Sequence, residues 1–486
     1  MTHPRIYFLL FAWSGFILSF SGWIQGEDPA TATLDKPLPA TAINSEPTAL
    51  DQYIAQPDDS YRWKLVGKQE QPGGTVYLLD LVSQTWSPPG MVNRTVWQHW
   101  LTIVKPEKAT GDTALLFISG GANGKEPPGS AGREILAVAA ASNVIVAELK
   151  MVPNQPLVFD GDGEERVEDN IIGFTWDQFM KTGDKTWPLQ LPMTKSAIRA
   201  MDAIQEFLSS PEGSETRVEK FIVSGASKRG WTTWLTGAVD PRVCAIAPIV
   251  IDVLNVNLSM QHHYQAYGFW APAIGDYVRH KVTHRRHFPE YQQLLQIVDP
   301  FAYRDRLTMP KCIINATGDQ FFLPDSSQFY FEELRGEKHL CYIPNADHSL
   351  KDSNAIETLA SFVYCVANDI RRPTLDWSFV DDNTIHVQCD TKPKEVILWT
   401  ARNETARDFR VMTIGKGFEK VPLEAISEGK YQAEVDTPEE GWAAYFIECT
   451  FDNGAPTPLR LTTPVRVIPD VLPHADKVAP LYDQTN

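Results

Sequence analysis

Residues 221–234 read FIVSGASKRGWTTW, and the fold of the whole chain turns on how this stretch is understood. An apolar run, Phe221-Ile222-Val223, stops at Ser224-Gly225-Ala226-Ser227-Lys228-Arg229-Gly230, and a helix-compatible segment carrying Trp231 and Trp234 follows. A strand that breaks at small residues and opens straight into a helix holds the intervening serine on a sharp turn, with its hydroxyl lifted clear of the sheet. Gly225 and Ala226 satisfy the need for small neighbours. Arg229 stands where the second glycine of a G-x-S-x-G turn is expected, with Gly230 one position later. Ser224 is the poorer nucleophile because it still lies in the strand. Ser227 is therefore either an activated nucleophile or an ordinary turn serine, and the rest of the chain has to decide.

Outward from this turn, strands alternate with helices. ALLFISGGANG (114–124) is a short apolar strand ending in glycines, followed by the helix-like SAGREILAVAAAS (130–142) and the strand NVIVAEL (143–149). KSAIRAMDAIQEFLSS (195–210) carries apolar residues at helical spacing. CAIAPIVID (244–252), KCIINATG (311–318) and HLCYIPNA (339–346) read as further strands, SSQFYFEELR (326–335) and ETLASFVYCVANDI (357–370) as helices. This alternation implies a doubly wound, mostly parallel sheet. Ahead of it, TVYLLDLVSQTW (75–86) and VWQHWLTIVKP (96–106) alternate as an opening antiparallel meander. Beyond Pro373 the helices stop, and short strands, RVMTIG (410–415) among them, read as a separate β-sandwich.

Ligands of a parallel sheet bind beyond the carboxyl ends of its strands. Gly121 and Ala122 follow the first such strand, Ser227 the central one, Asp319 the strand at 311–318 and His348 the strand at 339–346. The chain order Ser, Asp, His is that of the α/β-hydrolase triad. Ser227 needs a base to remove its proton, which His348 supplies, and Asp319 would fix the imidazole tautomer. Two backbone N–H groups, that of Lys228 and one from Gly121-Ala122, would hold the oxyanion. Asp325 and Asp252 are rivals to Asp319, and Asp347 beside the histidine reads as a loop cap. A long insertion (about 253–300) rich in aromatics and histidines is placed to cap the site, with Trp231, His262 and His263 as candidate substrate contacts. Adjacent histidines point apart on a helix, so no metal site is expected, and no cofactor. The acidic stretch 159–169 (FDGDGEERVED) lacks the full calcium-loop pattern and reads as a solvated turn.

Composition limits the partners. The 486 residues are 43% hydrophobic and 22% charged, with a net charge of −17, a balance that disfavours nucleic acid. The expected partner is a small-molecule ester or peptide, and the oligomeric state stays open. Arg5 precedes a long apolar run ending near Gln25, so residues 1–26 read as a signal peptide or an uncleaved N-terminal anchor. Export, to the periplasm or the medium, is expected, with no other membrane association. Residues 27–50 read as a flexible leader, 51–372 as the α/β domain, 373–470 as the sandwich and 471–486 as a tail. Six cysteines are too few for a disulfide scaffold. Cys389 and Cys449 flank Trp399 in a pattern like that of immunoglobulin-like sandwiches, and their bridging stays open. Asn-x-Ser/Thr sequons fall at Asn93, Asn257, Asn315 and Asn403.

GASKRGWTTWLTGAVDPRV (225–243), FTWDQFMKTGDKTWPLQLPMTKSAIRAMD (174–202) and ATGDQFFLPDS (316–326) resemble the PhoPQ-activated pathogenicity-related family over about residues 50–470. The resemblance implies an α/β-hydrolase-like core, export and a link to resistance against cationic host peptides, without fixing a substrate. More narrowly, Gly225 to Gly230 is similar to the GCSRxG turn of glucuronoyl esterases, with Ala226 for Cys and Lys228 for Arg. That similarity implies a cation beside the oxyanion and nothing about the substrate. Three functions remain in view. They are a serine hydrolase acting on an ester or peptide, a non-catalytic binding or signalling protein on the same scaffold, and adhesion through the C-terminal strands.

Overall fold

The computed structural model describes residues 46–481 except 89 and 91. The expected signal segment and most of the leader lie outside these residues. Long alternating stretches form the antiparallel strands β1 (Arg62–Gln71), β2 (Gly74–Thr85) and β3 (Val96–Pro106). The continuous apolar runs become β4 (Thr113–Ile118), β5 (Ile145–Leu149), β6 (Lys220–Ala226), β7 (Val243–Ile249), β8 (Lys311–Ala316) and β9 (Lys338–Ile343). Strands buried on both faces are mostly apolar, as in β5 and β8, whose residues are buried throughout and whose polar members are Glu148, Lys311 and Asn315. Sheet order runs β1-β2-β3-β5-β4-β6-β7-β8-β9, parallel from β5 to β9.

Helices cover both faces. On one, α2 (Arg133–Ser142) and α9 (Ala355–Ala367) pack through Ile135, Val138, Leu359 and Phe362. On the other, α4 (Gln190–Ser209) and α5 (Lys228–Val239) contribute Ile204, Phe207, Trp234 and Leu235. After β4 the chain moves to β5 on one side, then returns to β6 on the other. The carboxyl end of β6, where Ser227 sits, therefore borders a switch point of the sheet, the usual place for a ligand. The insertion after β7 folds as α6 (Val256–Tyr267), α7 (Gly275–Arg279) and α8 (Pro289–Val298), joined by short turns.

The C-terminal strands are β10 (Leu375–Phe379), β11 (Thr384–Cys389), β12 (Glu395–Asn403), β13 (Glu419–Pro422), β14 (Lys430–Glu434), β15 (Trp442–Phe451), β16 (Leu459–Thr462) and β17 (Arg466–Ile468). β10-β11-β14 form a small sheet. The others continue the main sheet beyond β9 through the pair Thr462 and Leu340. Ile385 and Val387 of the small sheet share one apolar cluster with Tyr445 and Ile447 of the larger. In that cluster the Cys389 and Cys449 sulfurs stand 3.8 Å apart, unbonded.

Several local expectations are corrected. The helix expected at 326–335 is two single turns, Ser326–Phe329 and Phe331–Glu333. Between them Tyr330 leaves helical geometry (φ −147°), its hydroxyl donating to buried Asp252 at 2.6 Å. The strand expected at 410–415 contains the one-turn helix α10 (Val411–Ile414), ended by Gly415 at φ 63°. A helix, α1 (Ala49–Ala55), spans the expected leader boundary, because Thr48 and Asp51 cap it reciprocally. The FTWDQF stretch, given no element in advance, lies in α3 (Asp169–Thr182).

Candidate active site

Ser227 takes φ 58° and ψ −126°, a conformation that L-residues adopt only when the surroundings impose it. Those surroundings are close-packed backbone. A Cβ at Gly225 would come within 2.8 Å of the Arg229 carbonyl oxygen. At Gly230 it would come within 2.9 Å of both the Gly225 and Ile249 oxygens. The glycine required for close approach is thus Gly230, which frees position 229 for a working side chain. The Ser227 N–H donates to the Ile249 oxygen, tying the turn to β7. Lys228 is the first residue of α5, so its N–H has no acceptor within the helix.

Arg229 uses its guanidinium to bind the neighbouring loops. Its Nε donates to the Val152 oxygen at 2.6 Å, and its two Nη atoms grip Glu168 at 2.7 Å each. Lys228 Nζ also meets Glu168, at 2.6 Å, and Asp169 at 3.2 Å. Burial alone would raise the Glu168 carboxyl, but the hydrogen bonds and charges of Arg229 and Lys228 outweigh it and hold the group at about 2. Gln155 donates to both Glu168 and the Gly121 oxygen, linking the serine turn to the glycine loop after β4. The Lys228 side chain, expected beside an oxyanion, is thus already neutralised. Gly121 and Ala122 do not line the cavity at Ser227.

Asp319, 2% exposed, accepts from the Phe321 N–H at 2.7 Å and pairs with His348 Nδ1 at 2.7 Å. The His348 N–H donates to Gln320. With Nδ1 engaged, His348 Nε2 is buried and has no partner among the described residues, so it is not hydrogen-bonded to Ser227. Phe321 and Phe322 pack on the imidazole, with ring centroids 4.4 and 6.0 Å away. Both also line the Ser227 cavity, together with Trp176, Trp231, Ile251 and Val253. The insertion roofs that cavity with Val256, Met260, Tyr277, Arg286 and Tyr291.

The rival carboxylates are occupied. Asp325 binds His262 at 3.0 Å and Arg407 at 2.6 Å. Burial would raise it, but the charges of Arg407 and His262 hold it far below the usual carboxylate range. Asp252 accepts from the Tyr330 and Tyr342 hydroxyls, both at 2.6 Å, and burial pushes it up to about 7. His262 and His263 do not line the cavity. His263 accepts from the Ala271 N–H, and burial lowers it to about 3. Trp231 does line it, with its indole N–H on the Val298 oxygen. In the acidic stretch Asp162 and Glu164 pair with Arg166, and no group of metal-binding residues occurs among the described residues. Of the four sequon asparagines, Asn93 is exposed and Asn257, Asn315 and Asn403 are buried.

Sequence reasoning missed Glu168, Gln155 and Arg286. Arg229 in the place of a glycine was the visible sign of the first two, since a long cation there needs an acid nearby. The class defined so far is a mixed α/β protein with a strained serine turn at a sheet switch point, beside a buried Asp-His pair. The chain belongs to the PhoPQ-activated pathogenicity-related protein family, whose description matches residues 50–410. It is 38% identical over 458 residues to "Autocrine proliferation repressor protein A" of Dictyostelium discoideum, covering 88% of this chain and 91% of that protein. Among solved structures, acetyl xylan esterase 1 from Thermoanaerobacterium sp. JW/SL YS485 matches with a TM-score of 0.45 and 15% identity, over 69% of this chain and 98% of that one. A glucuronoyl esterase from Solibacter usitatus matches with a TM-score of 0.38 and 14% identity, over 65% and 91%. Among the described residues no helix is long and apolar enough to cross a membrane.

Proposed function

We propose that the chain is an exported serine hydrolase that works through an acyl-enzyme. His348 Nε2 takes the Ser227 proton as Oγ attacks an ester or peptide carbonyl, and returns it to the leaving group. Asp319 keeps Nδ1 protonated and steadies the imidazolium. The Lys228 N–H, which has no acceptor within α5, receives the oxyanion. The carrying observation is the imidazole itself. Its Nδ1 is held by a buried carboxylate and its Nε2 has no partner among the described residues. It also packs on the two phenylalanines that line the Ser227 cavity. Hydrogen bonds between nucleophile and base often close only when substrate arrives. The C-terminal strands are read as an immunoglobulin-like sandwich, and resistance to cationic host peptides as a role implied by the resemblance alone.

Pre-steady-state hydrolysis of p-nitrophenyl acetate tests this reading. A burst of nitrophenolate equal to the enzyme concentration is expected, and its loss in Ser227→Ala. Release at the rate of the Ser227→Ala variant, with no burst, contradicts it. A second reading, a non-catalytic secreted signal on the same scaffold, is favoured by the name of the Dictyostelium relative. It predicts no burst from a protein whose fold is intact by circular dichroism.

A further inference from the structure

Among the described residues the buried lysines Lys195 and Lys311 are satisfied by backbone carbonyls, and buried arginines come with their anions. Arg229 has Glu168, Arg285 has Asp177, Arg407 has Asp325 and Arg410 has Asp408. Arg286 breaks the pattern. It lies in the cap between the turn Thr283–Arg285 and α8, is 2% exposed and makes no ion pair among the described residues. Its Nε donates to the Thr283 oxygen at 3.2 Å, and its guanidinium carbon lies 5.3 Å from the Trp270 ring centroid. Its Nη1 is enclosed without an acceptor among the described residues. Arg286 lines the same cavity as Ser227, where its companions are mainly Trp176, Val253, Val256, Met260 and Phe322, and where the Asp169 carboxylate is engaged by Lys228 and the Tyr277 hydroxyl. The other cation there, Lys228, is already matched by Glu168 and Asp169.

An isolated charge in an apolar cavity is strongly disfavoured unless a counter-charge arrives, and a guanidinium fork matches a planar carboxylate best. We propose that Arg286 seats a carboxylate on the acyl part of the substrate, so that the acids released carry a second, free carboxyl group. The acyl part is assigned because it stays joined to Ser227 under the cap while the leaving group must depart. This proposal rests on the hydrolase reading and narrows its substrate class. With a chain net charge of −17, long-range attraction does not draw such an anion in, so its recognition depends on this local seat.

The test compares p-nitrophenyl hydrogen glutarate with p-nitrophenyl pentanoate, acyl chains of equal length that differ in the terminal carboxylate. Wild-type kcat/KM should favour the glutarate ester by about tenfold or more. Arg286→Met should bring the ratio to about one, and Arg286→Lys should keep part of the preference. A wild-type ratio at or below one overturns the proposal. Tryptophan fluorescence of the wild type, titrated with glutarate and separately with inorganic phosphate, needs neither turnover nor a variant. Saturable glutarate binding supports the carboxylate seat. Phosphate binding without glutarate binding, or no binding of either, overturns it. If neither ester is turned over, the hydrolase reading has failed, and the glutarate titration alone judges the seat.

Discussion

The proposed trio of Ser227, Asp319 and His348 was visible in the sequence because each follows an apolar strand, and strand ends are where a parallel sheet exposes chemistry. What surrounds them was not. Glu168 comes from a loop far from the serine in sequence, and no local pattern marks a carboxylate that will clamp Lys228 and Arg229 together. Removing its charge should therefore disturb both the turn and its stability. Glu168→Gln leaves two buried cations with weaker partners, and should lower stability by about 2 kcal/mol in urea unfolding. It should also slow acylation of Ser227, because the same side chain joins Gln155 and the glycine loop to α5. Unchanged stability together with an unchanged acylation rate would remove Glu168 from the account. His262 and His263 show the opposite error. Their aromatic setting resembled a ligand site in sequence, yet neither lines the Ser227 cavity, His262 being paired with Asp325 and His263 Nε2 accepting from the Ala271 N–H.

The strand-turn-helix unit formed by β6, Ser227 and α5 works because Gly230, rather than residue 229, faces the backbone of β6 and β7. Gly230→Ala should force α5 away from Gly225 and Ile249, costing about 1–3 kcal/mol of stability and displacing the serine. Arg229→Gly, which restores the usual spacing of glycines, should not rescue it. Thermal unfolding of the two variants separates these outcomes, and a Gly230→Ala protein as stable as wild type would contradict the packing argument. β4 to β9 were readable as short apolar runs bounded by turn residues, and α4 from its helical spacing. The stretch 326–335 was misread because the hydroxyl of Tyr330 is held by Asp252, a long-range bond that overrides local helix preference. Likewise α10 owes its turn to the Arg410, Asp408 and Thr413 contacts and to a backbone bond from Val411 to Gly318.

Taken as one molecule, the sheet carries its strain near the site, and a buried acid sits under it. Asp252 is enclosed by Tyr330 and Tyr342 and feels Asp319 and Asp325, and burial raises it from 3.8 to about 7. A carboxyl raised on folding stabilises fully below its unfolded value, and that contribution is lost as pH rises through the folded one. Wild-type stability should thus fall between about pH 4 and pH 7 with a slope from this group of at most about 1.4 kcal/mol per unit. Asp252→Asn should flatten that slope in urea unfolding at several pH values, and an identical profile would contradict the assignment. The joining of C-terminal strands to the core sheet through Thr462 and Leu340 was invisible in sequence, since both sides read simply as apolar strands. The central claim is an activated Ser227, and the most direct measurement is fluorophosphonate labelling of the folded protein, with the adduct located by peptide mass spectrometry. The account predicts a single adduct on Ser227, absent from Ser227→Ala and strongly slowed in His348→Ala. Folded wild type that takes up no label, or labels equally well without His348, would contradict it.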